Sequence, residues 1–427
     1  MRKIDVNKNK YIAVLLLLGL FLIFDGCTNA NTTDDDAITL LDPYEERDDI
    51  FSATSDVYNK TLGEFKKEHP EITFERKVIR NEDYYGNVSS YAAMQRGLTD
   101  VFVISASNID DWIEKGAICS EPEHIYPLSN KYMTMIVYDK GALKAAGFDS
   151  FPNNWEDTIN VMGTEIAMCE MNGGSVRRTY LTPYTYMCCS DAWIDSLKGK
   201  QFETTPFLDD EFVASLKMTK KLCDLALTKD DLKISDRALV RFLNGDVIAA
   251  VITTDEMYEL KERLLEEAPE KYENIGFSFL PANVEADFKD SKIGAEYMTT
   301  TGVSTVLVIN SKLKENPEKL KKCEEFCKYM TGQVFADNMA EMFGFECENK
   351  SDKTYKGDDI VWSDMLKLIS DERKSGNLIE CENLGFILEP GMIGNVDLLL
   401  EEWIVEDNYT AEEIANYIQD YAEEHNN

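Results

Sequence analysis

This sequence predicts an α/β fold built as two lobes, and three observations carry that prediction. From Ile38 onward, segments with strand alternation take turns with segments that repeat their apolar positions at helical spacing. The chain has 427 residues, 44 % of them hydrophobic, a globular composition spread over more chain than one compact core accommodates. After Phe24 no second long apolar run occurs, so nothing beyond it is expected to cross a membrane.

In chain order, the first element is an export signal. Arg2, Lys3, Lys8 and Lys10 form a basic start to the apolar run Tyr11–Phe24. That run is shorter than the roughly 20 residues a spanning helix needs and reads as the core of a signal peptide, residues 1–26. The Gly26-Cys27 step that ends it resembles the lipobox of bacterial lipoproteins, with Phe24 and Asp25 where that motif has Leu and a small residue. The resemblance implies acylation of Cys27, and residues 27–37 are then a polar tether to the outer face of the bacterial cell membrane. An ordinary signal peptide or an uncleaved anchor, with Cys27 incidental, is the alternative.

After the tether, ITLLDPYEERDD reads as a strand entering a polar loop, and SATSDVYNKTLGEFKKEHP as an amphipathic helix ended by Pro70. ITFERKVI alternates as a strand, VSSYAAMQRG is a short helix stopped by Gly97, and DVFVIS is a buried strand with a continuous apolar run. This succession is that of an open, mostly parallel sheet, whose ligands gather beyond the C-terminal ends of the strands. Those ends are Asp42–Glu46 and Ser105–Asn108. From about Thr134 a second α/β region follows, with helix FVASLKMTKKLCDLAL, segment RALVRFLNGDVIAAVITTDEMYEL and strand GFSFLP. TTTGVSTVLVIN reads as one Gly-interrupted strand leading into helix NPEKLKKCEEFCKYM, capped by Asn316 with Pro317 at its first position. Three helical patterns close the chain: IVWSDMLKLISDERK, VDLLLEEWIVED and AEEIANYIQDYAEE, the last with a Thr410/Glu413 capping box.

With 44 basic and 79 acidic side chains the net charge is −35. Such a surface repels phosphate polymers, so nucleic acid is excluded as a partner. Ten cysteines are many for an exported chain, but no CxxC pair and no CxxC…HxxxH spacing occurs, and there are only three histidines. No metal and no cofactor is expected. Cys323 and Cys327 fall on the apolar face of their helix with Leu320, Phe326 and Met330, too far apart for a disulfide and suited to a buried core. The adjacent pair Cys188-Cys189 could bond only as a strained vicinal disulfide.

Five stretches, in order, resemble the extracellular solute-binding proteins of ABC importers, especially the carbohydrate-binding group that includes maltose-binding protein. They are ITLLDPYEE with FKKEHPEITFE; RGLTDVFVISASNIDDWIEKGAI; IYPLSNKYMTMIVYDKGALKAAGFDSFPNNWED; FLNGDVIAAVITTDE; and TGVSTVLVINSKLKENPEKLKKCEEFCKYMT. TAEEIANYIQDY fits the family's terminal helix. The resemblance implies a two-lobed periplasmic-binding-protein-like fold of type II, each lobe a mostly parallel sheet flanked by helices. Two or three crossing segments join the lobes and a helical tail closes the chain. Lobe 1 is expected at 38–133 plus 299–336, and lobe 2 at 134–298 plus 337–427. It also implies a monomer that takes a small molecule between the lobes and hands it to permease subunits in the membrane, without catalysis.

A neutral sugar needs aromatic faces for its C–H groups and carboxylates or amides for its hydroxyls. By resemblance, the loop after the first strand supplies Asp42, Tyr44 and Glu45, and the loop after DVFVIS supplies Ser107 and Asn108. Tyr132 stands at the hinge, Trp193 with Asp191 at a cleft-aromatic position, and Thr253 and Asp255 where sugar binders often carry a stacking Trp. Thr301 begins the return strand, and Trp362 is a stacking candidate from the tail. Trp112, Trp155 and Trp403 are assigned to cores. The missing Trp after AAVITT and the polar SASN loop favour a small or polar sugar over a long maltodextrin. A non-sugar solute such as a peptide or polyamine, a sensor subunit of the same fold and a surface glycoside hydrolase are the alternatives.

Overall fold

In the computed structural model the residues described are 36–45, 52–94, 97–155, 157–158, 166–167, 173–198, 207–226, 238–282, 295–388 and 390–425. The signal segment, Cys27 and nearly all of the tether lie outside them.

Five strands form the first sheet, in the order β2 (Phe74–Val78), β1 (Ile38–Asp42), β3 (Val101–Ser105), β11 (Thr305–Ile309), β4 (Ile125–Pro127). β1 runs parallel to both β2 and β3, whereas β11 returns antiparallel to β3 and to β4. The helix between β1 and β2, Ala53–Glu68, starts where the Ser52 hydroxyl accepts from Ser55 N–H and buries Val57, Tyr58, Leu62 and Phe65. The helix after β2 is longer than its sequence pattern suggests, Asn81–Ala93. Gly97, where that segment turns, has φ +84°, open to glycine at little cost.

The second sheet has seven strands. Its path is β12 (Leu378–Glu382), β10 (Tyr297–Val303), β5 (Lys131–Asp139), β7 (Ala249–Thr253), β6 (Ile166–Ala167), with β8 (Ile275–Ser278) beside β5 and β9 (Leu280–Pro281) beside β10. Only the β10–β12 and β6–β7 pairs are parallel; β5 is antiparallel to β10, β7 and β8. Both sheets are thus mixed. In the first, two of four pairs are parallel and four of five strands point one way, so a mostly parallel sheet holds there for strand direction, whereas the second is mostly antiparallel. The reason is topological: the chain enters the second sheet on β5 and leaves it on β10, and two oppositely directed strands sit side by side at its centre.

TTTGVSTVLVIN is two strands in two sheets. β10 ends at Val303 and β11 begins at Thr305, so Ser304 is the switch. The other crossing, Leu128–Asn130, lies against it: the Ser129 hydroxyl accepts from Ser304 N–H at 2.9 Å. A third segment passes near them, where Lys131 N–H donates to the Glu346 carbonyl at 2.7 Å. Helix Gln333–Phe343 packs on Ala53–Glu68 beside the first sheet.

One continuous core fills both faces of the first sheet and runs on through Met133, Met135, Ile252 and Trp362. A second core joins the last two helices, Pro390–Glu406 and Ala411–His425, to helices Asp191–Lys198 and Asp210–Ala226. Helix Pro317–Met330 carries its cap at Asn316 and buries Cys323, Phe326, Cys327 and Met330 as expected. The eight cysteines among the described residues are free thiols, Cys188 and Cys189 included. Trp112, Trp155 and Trp403 are buried. Among the described residues no helix is long and apolar enough to cross a membrane.

Candidate functional site

Sheet directions decide where side chains can meet. The C-terminal ends of β1, β2 and β3 and of β7 point toward the crossing segments, and so does the start of β5.

Asp42 ends β1 and is fully buried. Arg76 on β2 donates Nε–H to Oδ2 and Nη2–H to Oδ1, each at 2.8 Å, and Tyr44 N–H donates to Oδ1 at 2.9 Å. Burial pushes this carboxyl up and Arg76 pulls it back. Both carboxylate oxygens are therefore occupied by the protein's own donors, and Asp42 shapes the loop instead of facing a ligand. Tyr44, which it positions, packs on Tyr58 with ring centroids 4.7 Å apart and places its hydroxyl 3.2 Å from Thr305 Oγ1. Glu45 follows half-buried.

β7 ends differently. Thr253 caps helix Thr254–Glu267 in a reciprocal box with Glu256, so its hydroxyl is committed to the fold. Asp255, two residues on, is partly exposed, yet its Oδ1 is shielded and has no hydrogen-bond partner among the described residues. Burial raises its carboxyl to about 6, against the opposing pull of Asn130 and Arg178. Asn130, in the β4–β5 crossing, is buried, and its Nδ2 leans toward the Asp255 carboxylate without full hydrogen-bond geometry; the Nε of Arg178 has no partner among the described residues. Tyr132 lies within electrostatic reach of Arg178 and Asp255, and Tyr44 within reach of Asp255 and Tyr85. An unsatisfied buried polar atom is costly, and here two of them, an acceptor and a donor, border one place at the junction of the sheets.

A relay fixes this place from behind. Asp397 holds Arg177 by two bonds, to Nε at 2.7 Å and Nη2 at 3.0 Å. Arg177 Nη1 donates to Asn383 Oδ1 at 2.7 Å, and Asn383 Nδ2 donates to the Tyr132 hydroxyl at 2.7 Å. A Cβ at Gly385 would collide with Arg177 Nη1, so a larger residue there displaces the guanidinium from Asn383. Arg177–Leu181 is a π-helix, a rare form that frequently occurs at functional sites.

No protein-family model and no curated protein matches the chain. Solved structures do. A chitin oligosaccharide binding protein aligns with TM-score 0.64 at 14 % identity, over 91 % of this chain and 99 % of its own. The GacH receptor of Streptomyces glaucescens, solved unliganded and with acarbose, aligns with TM-score 0.61 at 15 % identity over 91 % and 97 %. The sugar-binding protein MalE from Xanthomonas citri gives 0.60 at 14 % identity over 91 % and 98 %. The chain has the two-lobed α/β fold of these binding proteins.

Within that fold the remaining expected residues separate. Trp193 is buried, stacked on Phe212 at 5.3 Å and edge-on to Phe207, in the core of the closing helices. Trp362 is buried too, its indole N–H bound to the Phe343 carbonyl at 2.9 Å. Neither offers a face to a ligand, which corrects both assignments: each lies on the apolar stripe of an amphipathic helix, Trp193-Ile194-Leu197 and Trp362-Met365-Ile369. Asp191 is exposed at the start of the Trp193 helix. Thr301 is buried in β10 between β5 and β12, with its carbonyl accepting from Asn383 N–H. Asn108 is exposed in the turn after β3, and the Ser107 side chain lies outside the described residues. Arg178, Asn130 and Tyr85 were not anticipated. Tyr85, 37 % exposed, is the open aromatic ring near Tyr44. An adjacent Arg pair in so acidic a chain was the available signal for Arg178. A separate cavity of about 320 Å³, lined by Met133, Phe345, Leu366 and Arg373, lies on the face of β5 opposite Tyr132.

Proposed function

We propose that this chain is an extracellular solute-binding protein of an ABC importer, taking a small or polar sugar between its two lobes. The supporting observation is at the junction, where the Asp255 acceptor and the Arg178 donor lack partners among the described residues, with Asn130 and the Asn383-bound Tyr132 beside them. Adjacent sugar hydroxyls each donate and accept, so one can give its proton to Asp255 while the next receives from Arg178. Tyr85 supplies aromatic surface for C–H groups. The similar proteins named for chitin oligosaccharides, acarbose and sugars agree with this class.

Lobe 1 then comprises 38–128 with 304–343, lobe 2 the rest, and ligand binding draws them together about the paired crossings at Ser129 and Ser304. The closed form gains contacts the open form lacks, which is what a ligand must supply to shift the balance. Cys27 anchors the monomer by an acyl chain to the outer face of the membrane, where a permease collects the solute. A hydrolytic reading is disfavoured because Asp42 is held by Arg76 and Glu256 by Thr253, so neither serves Asp255 as the second carboxylate of a glycosidase pair.

The test is a fluorescence titration of the purified protein against neutral, amino and acidic small sugars, with peptides and polyamines alongside, while solution scattering follows compaction. Saturable quenching and compaction by at least one sugar are expected. A response to peptides or polyamines and to no sugar overturns the ligand class; binding without compaction overturns the hinge.

A further inference from the structure

At the end of the first sheet remote from the crossings, Cys119, Glu121 and His124 converge in the segment between helix Ile109–Glu114 and β4. Cys119 N–H donates to the carbonyl of Ile309, the last residue of β11, which places the cluster opposite the β3 end that holds Ser105–Asn108. One donor atom from each of the three side chains lies within 4.8 Å of the others. Cys119 and His124 are buried, at 1 % and 9 % exposure.

The hydrogen bonding of His124 is informative. Its Nε2 stands 2.9 Å from Glu324 Oε1 on helix Pro317–Met330. A carboxylate accepts only, so Nε2 carries the proton and, in the neutral ring, Nδ1 presents a lone pair. That lone pair faces Glu121 Oε2 at 3.4 Å, and neither atom has a hydrogen-bond partner among the described residues. With the ring neutral, two acceptors are thus turned toward each other in a shielded place with a thiol beside them, an arrangement that a bound cation, or failing that a second ring proton, makes favourable. Lys314 does not fill the role, because its ammonium bonds the other oxygen, Glu121 Oε1, at 2.7 Å.

We propose that Cys119 Sγ, Glu121 Oε2 and His124 Nδ1 bind a borderline-soft divalent transition metal, zinc being the chemical match, in a structural site with Glu324 as the positioning residue. Metal–ligand distances of about 2.0–2.3 Å in a tetrahedron require ligand–ligand edges of roughly 3.3–3.7 Å, and the His124–Glu121 edge already has that length. The sulfur, whose S–H now points to the Asn310 carbonyl at 3.9 Å, turns and closes in from within 4.8 Å to complete the face, and the fourth position goes to water. A carboxylate bound to the far nitrogen of the ligating imidazole is the usual outer partner of such sites. Burial pushes the Cys119 thiol up, so binding exchanges the thiol proton for the metal and releases it to solvent. The spacing is Cys-x-Glu-x-x-His, unlike the CxxC and HxxxH spacings of common zinc sites. By tying this segment to the end of β11 and to helix Pro317–Met330, the metal would brace the first sheet away from the ligand junction.

The purified full chain, stripped by a chelator and titrated with Co²⁺, is expected to develop a thiolate-to-cobalt charge-transfer band that saturates at one equivalent. The intense visible bands of four-coordination should accompany it, and Zn²⁺ should bleach both. Cys119→Ser and His124→Gln should each abolish the band with far-ultraviolet circular dichroism unchanged. Glu324→Gln should keep the band and weaken affinity about 10–100-fold. Should Cys119→Ser fail to fold, Glu121→Gln, whose side chain is half-exposed, addresses the same ligand set. No charge-transfer band in the parent, or a band that survives His124→Gln and Cys119→Ser through other thiols, overturns the site. That result would leave an imidazolium bridging Glu121 and Glu324 in its place.

Discussion

Asp42 and Asp255 occupy comparable places: Asp42 ends β1 and Asp255 opens the helix just after β7, both strands aimed at the junction. Asp42 is fully buried, and Asp255 is partly exposed with one shielded oxygen. Asp42 accepts two bonds from Arg76 and one from Tyr44 N–H, and its neighbourhood is complete. Asp255 keeps an orphaned oxygen beside an arginine whose Nε is also orphaned. Position in the topology is thus insufficient to mark a ligand contact. What distinguishes the two is whether the protein has already spent the carboxylate on itself.

The most severe test of this difference is Arg76→Leu. It strands the Asp42 charge in the first sheet and should cost about 3–5 kcal/mol of stability, as removing one member of a buried pair does. Unfolding in denaturant measures it. Asp42→Asn added to Arg76→Leu should restore much of the loss, because the stranded charge is then gone. If Arg76→Leu leaves the midpoint in place and instead weakens ligand binding, Asp42 is a site residue after all and the contrast fails.

The same distinction explains what could be read from the residues alone. Strand and helix periods, the Asn316 and Thr410 caps and the buried Cys323–Cys327 face are local, and they were legible. The change of sheet at Ser304 was not, because an alternating apolar run has the same pattern whichever sheet its halves join. Trp193 and Trp362 were drawn toward the cleft by resemblance, although their own i, i+1, i+4 and i, i+3, i+7 neighbours signalled a packed stripe. Asn130 and Arg178 lie in a crossing and in a π-helix, where no apolar period exists to place a side chain. Their importance comes from missing or incomplete partners, a property that only three-dimensional contacts reveal.

Next in size is Asp255→Asn. If the orphaned oxygen awaits a hydroxyl donor, removing its charge should weaken binding of the responding sugar about 10–100-fold, the worth of a charge-assisted bond. The unfolding midpoint should stay level or rise, since a poorly paired buried charge disappears. Asp42 and Asp255 then part company in opposite observables, stability for one and affinity for the other. Unchanged affinity in Asp255→Asn would break the contrast from the other side.

The smallest effect is a pH dependence whose two halves have opposite signs. Burial raises the Asp255 carboxyl from the ordinary 3.8 to about 6, so the folded chain holds this proton more tightly than the unfolded one. Protonation therefore stabilises the ligand-free fold; that contribution is fully present below about pH 4 and fades as pH rises through about 6. A sugar that donates to the carboxylate needs it ionised, and at pH 5 only about a tenth of it is. Between pH 7 and pH 5 affinity should fall about ten-fold while this group's share of ligand-free stability grows. Carboxylates lowered by surface ion pairs push stability the other way on acidification, so the comparison must be made between the parent and Asp255→Asn, in which only the Asp255 share is absent. An affinity that is flat over this interval in the parent would mean that the Asp255 oxygen accepts nothing from the ligand.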